Sequence, residues 1–104
     1  MAYDLHVGVS PRKHQYRLSL TEDLHNELFR VIRSRGLSLP VCMKLADYYQ
    51  DQHLPPALHL SWCEELKLLR SQPLSTRLAE TLGRMIEVVQ QAMDDELFIY
   101  WFAD

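Results

Sequence analysis

The sequence predicts one α+β domain in which a small mixed or antiparallel sheet packs with about four helices. Three observations predict this class. Residues 3–9 alternate between apolar and polar side chains, as a half-buried strand does. The middle of the chain repeats apolar residues at helical spacing between prolines. Residues 97–102, LFIYWF, form an unbroken apolar run. A chain of 104 residues has the size of a single domain, and we assign 1–104 to it.

The first two predicted strands form an N-terminal hairpin. Residues 3–9 place their odd-numbered, apolar side chains on one face of the first strand. A five-residue connection, SPRKH, leads to a second strand, QYRLSL, at 15–20. The alternation of this second strand predicts that Tyr16, Leu18 and Leu20 share one side.

Two helices are predicted after the hairpin. Thr21 is a hydroxyl N-cap, acidic residues occupy the first turn, and Gly36 ends the helix. The apolar stripe of this helix consists of Leu24, Leu28, Val31 and Ile32. A shorter helix is predicted within 38–52, with Pro40 near its first turn. Its expected inward residues are Val41, Leu45, Tyr48 and Tyr49.

Two further helices are predicted in the second half. Ser61 and Glu64 have the spacing of a capping box, which predicts a helix over about 62–70 and places His59 outside it. Pro73 separates this helix from the next one. The next helix begins at a cap on Ser75 or Thr76 and carries a long apolar face.

The run LFIYWF is too short to cross a membrane as a helix. Its lack of alternation predicts a strand that is covered on both faces. Because an exposed edge strand of this composition would promote aggregation, we expect the run to lie centrally. The predicted position is beside the first strand, with helices on at least one face of the sheet.

The sequence also predicts a cellular compartment. The first ten residues contain no basic segment and no long apolar segment, and no stretch approaches the roughly 20 apolar residues of a spanning helix. We therefore expect a cytoplasmic protein that does not bind membranes. Cys42 and Cys63 lie in predicted helices and are expected to be reduced, buried thiols.

Charge argues against a nucleic-acid partner. The net charge is −3 and the isoelectric point is about 5.9, whereas nucleic-acid binding usually needs a basic stripe. Residues 37–104 carry five basic and ten acidic side chains. A partner attracted by charge is therefore expected to be basic. The predicted partner-binding residues are Glu64, Glu65, Asp94, Asp95 and Glu96.

No residue is predicted to be catalytic, and no cofactor is predicted. His53, His59 and Cys63 are weak candidates for metal ligands, because their spacing lacks the paired motifs of zinc sites. The same three residues define an alternative function, a small metal- or thiol-dependent enzyme. In that alternative, the helix dipole would lower the pKa of Cys63, and the three groups would have to converge around a cavity.

Aromatic side chains favour partner binding. Both faces of the run 97–102 carry aromatic residues, which exceeds what one small layer buries, and Tyr and Trp are favoured at interfaces. The sequence therefore predicts a non-catalytic protein-binding domain. A second copy of the chain covering one face of the sheet is also predicted as an option, either as a homodimer or as a homo-oligomeric structural subunit.

The opening MAYDLHV, the acidic helical half and the run LFIYWF together resemble small bacterial immunity proteins, which neutralise cognate toxins. The same features are similar to those of other small bacterial α+β proteins. The first resemblance implies a cytoplasmic, non-enzymatic binder that meets a basic or cleft-bearing toxin through acidic residues. It assigns no role to any individual residue.

Overall fold

The computed structural model describes residues 2–103 and confirms the α+β class. Its regular elements, in chain order, are β1 (Ala2–Ser10), β2 (Lys13–Thr21), α1 (Glu22–Ser34), β3 (Gln52–Leu54), α2 (His59–Arg70), α3 (Thr76–Asp94) and β4 (Phe98–Ala103). Two short 3-10 turns occupy Cys42–Leu45 and Pro56–Leu58. The described residues thus contain three α-helices where about four were predicted. None of these helices is long and apolar enough to span a membrane.

The four strands form one antiparallel sheet in the order β2-β1-β4-β3. The C-terminal strand β4 lies beside β1 in the interior of the sheet, as its composition predicted. It pairs with β1 from Tyr3 opposite Ala103 to Gly8 opposite Phe98. On its other side β4 pairs with β3, which has only three residues.

Helices cover one face of this sheet, which we call the inner face. Tyr3, Leu5 and Trp101 project from its two central strands and are fully buried. The ring of Trp101 lies 5.0 Å from that of Tyr3 and 6.0 Å from that of Trp62 on α2, the latter edge to face. Aromatic pairs in this geometry contribute about 0.5–1.5 kcal/mol each beyond the burial of their area. The core therefore joins the helices to the centre of the sheet.

The prediction that Tyr16 shares one side of its strand with Leu18 and Leu20 was wrong. Leu5 pairs with Leu18, but the next residue, His6, pairs with Tyr16, so that Arg17 is an extra residue in β2. Such a bulge reverses the facing of the residues before it. Leu18 and Leu20 are buried, while Tyr16 lies on the opposite face and is 56% exposed. The connection also shortens from five residues to the two between β1 and β2.

The first helix agrees with its prediction at both ends. The hydroxyl of Thr21 accepts a hydrogen bond from the backbone N–H of Leu24, and Gly36 has φ +62° after the last turn. Leu24, Leu28 and Ile32 are buried on one stripe, with Val31 partly buried beside them. Local capping chemistry is therefore sufficient to define α1.

The prediction of a helix within 38–52 was wrong. The helical part of this segment is the 3-10 turn Cys42–Leu45, and Tyr49 is 64% exposed rather than inward. The backbone N–H groups of Val41 and Cys42 donate to the carboxylate of Glu65 on α2. A contact between residues distant in sequence thus determines the conformation here, and the segment continues into β3, which was not predicted.

The start of α2 also differs from its prediction. The helix begins at His59, directly after the 3-10 turn Pro56–Leu58, and its N-cap residue Leu58 makes no side-chain hydrogen bond. Ser61 therefore lies inside the helix instead of capping it. The next helix, α3, agrees with the prediction, since the hydroxyl of Ser75 accepts from the N–H of Leu78.

Replacement of Gly8 by alanine is expected to destabilise the fold strongly. A Cβ at this position would overlap the carbonyl oxygen of Lys13 and the Cα of His14, both of which are backbone atoms of the paired strand. We expect Gly8→Ala to lower the free energy of unfolding by more than about 3 kcal/mol, the upper range for overpacked sites. Urea denaturation followed by circular dichroism measures this change.

Gly83→Ala is the matched control. Its added Cβ meets only the guanidinium of Arg70, at 3.1–3.4 Å, and this flexible group can move. Because alanine is favoured over glycine in a helix by about 1 kcal/mol, this variant should be neutral or slightly stabilised. Equal destabilisation of the two variants would contradict the close approach of β1 and β2 at Gly8.

Candidate functional site

The face of the sheet opposite the helices is the candidate functional site, and we call it the outer face. The pleat alternates side chains between the two faces, so that the residues between the buried positions of β1 and β4 project outward. The outer-face residues considered below are Asp4, His6, His14, Tyr16, Ser19, His53, Phe98, Tyr100 and Phe102. Among the described residues, the core cluster that contacts the helices includes none of these nine.

An aromatic row runs along β4 on the outer face. The ring of Tyr100 lies 6.2 Å from that of Phe98 and 5.9 Å from that of Phe102, with interplanar angles of 19° and 11°. Tyr100 is only 6% exposed, although it lies outside the core cluster, while the two phenylalanines are partly exposed. Burial raises the pKa of Tyr100. The row therefore forms a strip of apolar surface on a face that the helices leave uncovered, and its exposed parts are the two phenylalanines.

A groove of about 470 Å³ follows this aromatic row. Its floor is the row itself. One side is the tip of the β1–β2 hairpin, which includes Pro11, and the other consists of Asp51 and the β3 residues that follow it, including His53. Asp51 also accepts a hydrogen bond from the backbone N–H of Ala103 at 2.7 Å. An apolar floor with a few polar groups at its margin is typical of binding surfaces.

Two histidines meet on adjacent strands beside the row. The Nδ1 atoms of His6 on β1 and His14 on β2 are 2.9 Å apart, and the two rings are nearly perpendicular, at 81°. Phe102 lies 4.9 Å from one imidazole and 5.0 Å from the other. Burial, and then the neighbouring His14, lower the pKa of His6. Sequence spacing gave no indication of this pair, because it depends on the register of the two strands.

A short hydrogen-bonded chain lies beside the histidine pair on the outer face. The hydroxyl of Ser19 donates to the carboxylate of Asp4 at 2.6 Å and lies 2.8 Å from the hydroxyl of Tyr16. The Tyr16 ring is also 5.7 Å from that of His6. These contacts fix the orientation of an exposed tyrosine, which reduces the entropy that it loses on binding a partner.

The candidate cluster of His53, His59 and Cys63 does not converge. His53 lies on the outer face at β3, and the adjacent Leu54 is fully buried on the inner face. His59 is also fully buried, and its Nε2 donates to the carbonyl of Leu54 at 3.1 Å. Burial lowers the pKa of His59. Within residues 2–103, no group of three or more His, Cys, Asp or Glu residues is placed to hold a metal ion.

Both cysteines are free thiols buried in the core. His59 and Cys63 lie on the same helix, contrary to the prediction that His59 precedes it. Burial and the neighbouring Glu65 carboxylate raise the pKa of Cys42 well above its usual range. A thiol in that environment stays protonated and is a poor nucleophile.

The predicted acidic residues occupy two separate places. Glu64 is exposed on α2, whereas Glu65 is partly buried and accepts two backbone hydrogen bonds, at 3.1 and 2.8 Å. Asp94, Asp95 and Glu96 are all exposed at the end of α3 and in the turn that leads into the aromatic row. Their use in partner binding stays a prediction.

No protein-family model matches this chain, and neither the curated proteins nor the solved structures yield a significant match. Function must therefore be argued from the outer face and from the charges around it.

Separate alanine variants of Glu65 and Glu64 test which of these two carboxylates stabilises the fold. Glu65→Ala removes both acceptors from the N–H groups of Val41 and Cys42, and unsatisfied buried donors cost about 1–3 kcal/mol. We expect Glu65→Ala to lower the free energy of unfolding by roughly that amount, and Glu64→Ala to change it by less than about 0.5 kcal/mol. Parallel urea denaturation of the two variants makes the comparison. Indistinguishable curves would show that Glu65 does not fix the 3-10 turn.

Proposed function

We propose that this protein is a non-catalytic, cytoplasmic protein-binding domain, and that its most concrete function is the neutralisation of a bacterial toxin as an immunity protein. The observation that carries the proposal is the aromatic row of the outer face. Phe98 and Phe102 stay partly exposed on the same face as Tyr16, which is 56% exposed. Aromatic residues that are ordered and exposed supply large contact area at low cost in entropy, as binding surfaces require.

Charge favours a basic partner. Three exposed carboxylates, Asp94, Asp95 and Glu96, immediately precede the aromatic row in the chain. A partner that covers the row therefore comes close to these carboxylates. A second copy of this chain, with its net charge of −3, would add negative charge there rather than compensate it. We therefore propose that the outer face binds a different protein with a basic contact surface.

The alternative functions receive less support. A metal- or thiol-dependent enzyme centred on His53, His59 and Cys63 would need these residues to meet, and they lie on opposite sides of the sheet or within the core. A homo-oligomeric structural subunit would use the same aromatic row but would not compensate the negative charge beside it. The photo-crosslinking experiment below distinguishes this second alternative, because it predicts an adduct between two copies of the chain.

Site-specific photo-crosslinking tests the outer face. A photoreactive phenylalanine analogue placed at Tyr16 in the source organism should form a covalent adduct with one predominant protein on irradiation. The same analogue at Tyr49 is the matched control, because Tyr49 is a tyrosine of similar exposure, 64%, that lies outside the sheet. Mass spectrometry of the adduct should identify a partner with a basic isoelectric point.

Three results would contradict the proposal. Equal adducts from positions 16 and 49 would show that the outer face is not selective. An adduct between two copies of this chain would support the homo-oligomeric subunit instead. An acidic partner would exclude the assigned charge complementarity.

A charge-neutral variant tests the role of the acidic turn. The triple variant Asp94→Asn, Asp95→Asn and Glu96→Gln should associate with the crosslinked partner about tenfold more slowly at low salt, because electrostatic steering is removed. Dissociation should change less. Stopped-flow kinetics at several salt concentrations measure both rates.

A second triple variant removes the same number of charges elsewhere. Glu22→Gln, Asp23→Asn and Glu87→Gln alter exposed residues on α1 and α3, outside the acidic turn. At about 0.15 M salt its association rate should stay within about twofold of the wild-type rate, since charges farther from the contact than the Debye length of about 8 Å are largely screened. If both triple variants slowed association equally, the net charge alone would account for the effect, and the acidic turn would have no specific role.

A further inference from the structure

The contact between His6 and His14 admits a second explanation besides a hydrogen bond. A neutral imidazole carries one N–H and one lone pair, so that one Nδ1 donates to the other across the observed 2.9 Å. If both rings instead carry their proton on Nε2, both Nδ1 lone pairs become available on the facing side of the two rings. Two available imidazole nitrogens are the ligands that divalent transition metals bind most readily.

The distance between the two nitrogens is compatible with coordination of one ion. Two metal–nitrogen bonds of about 2.0–2.1 Å separate their nitrogens by about 2.9 Å when they meet at a right angle, and by about 3.4 Å at the tetrahedral angle. The observed separation is 2.9 Å, which is also the ordinary length of a hydrogen bond. Adjacent positions of a square-planar or tetragonal ion therefore need less rearrangement of the two rings than tetrahedral positions do.

We propose that His6 and His14 form a binding site for a tetragonal divalent metal ion, with copper(II) bound most tightly. The two imidazoles supply two adjacent equatorial ligands through Nδ1. Water completes the coordination, because the described residues place no third His, Cys, Asp or Glu at the site. Divalent copper also heads the general affinity order for nitrogen sites. This inference is independent of the proposed partner-binding function.

The surroundings of the pair support a preformed site. Phe102 contacts both imidazole rings, and Tyr16 contacts His6 edge to face at 76°, which restrict the rotation of the rings. The carboxylate of Asp4 favours positive charge at His6 and is itself held by Ser19. Imidazoles whose orientation is held by neighbouring groups are typical of metal sites in proteins. The two histidines are also partly exposed, which leaves a path for the ion.

Burial and the adjacent His14 lower the pKa of His6, and the Asp4 carboxylate opposes them only in part. A lowered pKa favours the neutral imidazole, which is the form that binds a metal ion. The other side chains that contact the pair are Tyr16 from β2, and Tyr100 and Phe102 from β4.

Copper titration of the purified chain tests the site. We expect about one equivalent of copper(II) per chain, with pulsed EPR showing two coordinated imidazoles. His6→Gln and His14→Gln should each weaken binding by at least about tenfold, since loss of a ligand exceeds the effect of an outer contact. Paramagnetic broadening in NMR spectra should be strongest for Tyr16 and Phe102, which contact the pair.

His53→Gln is the matched control, since His53 is an exposed outer-face histidine outside the pair. It should bind copper as the wild type does. Circular dichroism of all three variants verifies that they fold. The proposal is overturned if the His6 and His14 variants bind copper like His53→Gln. A titration that gives one copper per two chains would also overturn it, because it would indicate a site completed between copies. So would an EPR spectrum that shows a single coordinated imidazole. None of these results bears on partner capture at Tyr16.

Discussion

The pairing of β4 with β1 is the constraint on which the rest of this structure depends. It joins residues from opposite ends of the chain, from Tyr3 opposite Ala103 to Gly8 opposite Phe98. Because strand side chains alternate, this register places Trp101 against Tyr3 and Trp62 in the core. The same register necessarily places Tyr100 and its neighbours on the outer face. A one-residue slip would exchange the two sets, so the stability of the core fixes the position of the candidate site.

Features set by local chemistry could be predicted from the sequence. Thr21 and Ser75 cap their helices through hydroxyl groups a few residues away, and Gly36 adopts the positive φ that few other residues tolerate. The central position of β4 was also predictable, because an unbroken apolar run is unstable at an exposed edge. In each of these cases the deciding interaction lies within a few residues or follows from composition.

Features set by distant contacts were not predictable in this way. Glu65 resembled a surface charge, yet it binds the backbone at Val41 and Cys42 and replaces a predicted helix by a 3-10 turn. The bulge at Arg17 turned Tyr16 outward, although the alternation of the strand placed it inside. The same register brings His6 and His14 together. A pattern confined to one strand contains no information about which residues its partner places opposite.

The two central strands differ in composition on the outer face, and this difference separates stability from function. On β1 the outward residues are Asp4, His6 and Gly8, as expected for an antiparallel sheet with one face in water. On β4, in the same sheet and at the same depth, they are phenylalanine, tyrosine and phenylalanine. Since β1 folds with polar outward residues, apolar ones are not a general requirement of the outer face of this sheet. The aromatic row on β4 is therefore consistent with the partner binding proposed above.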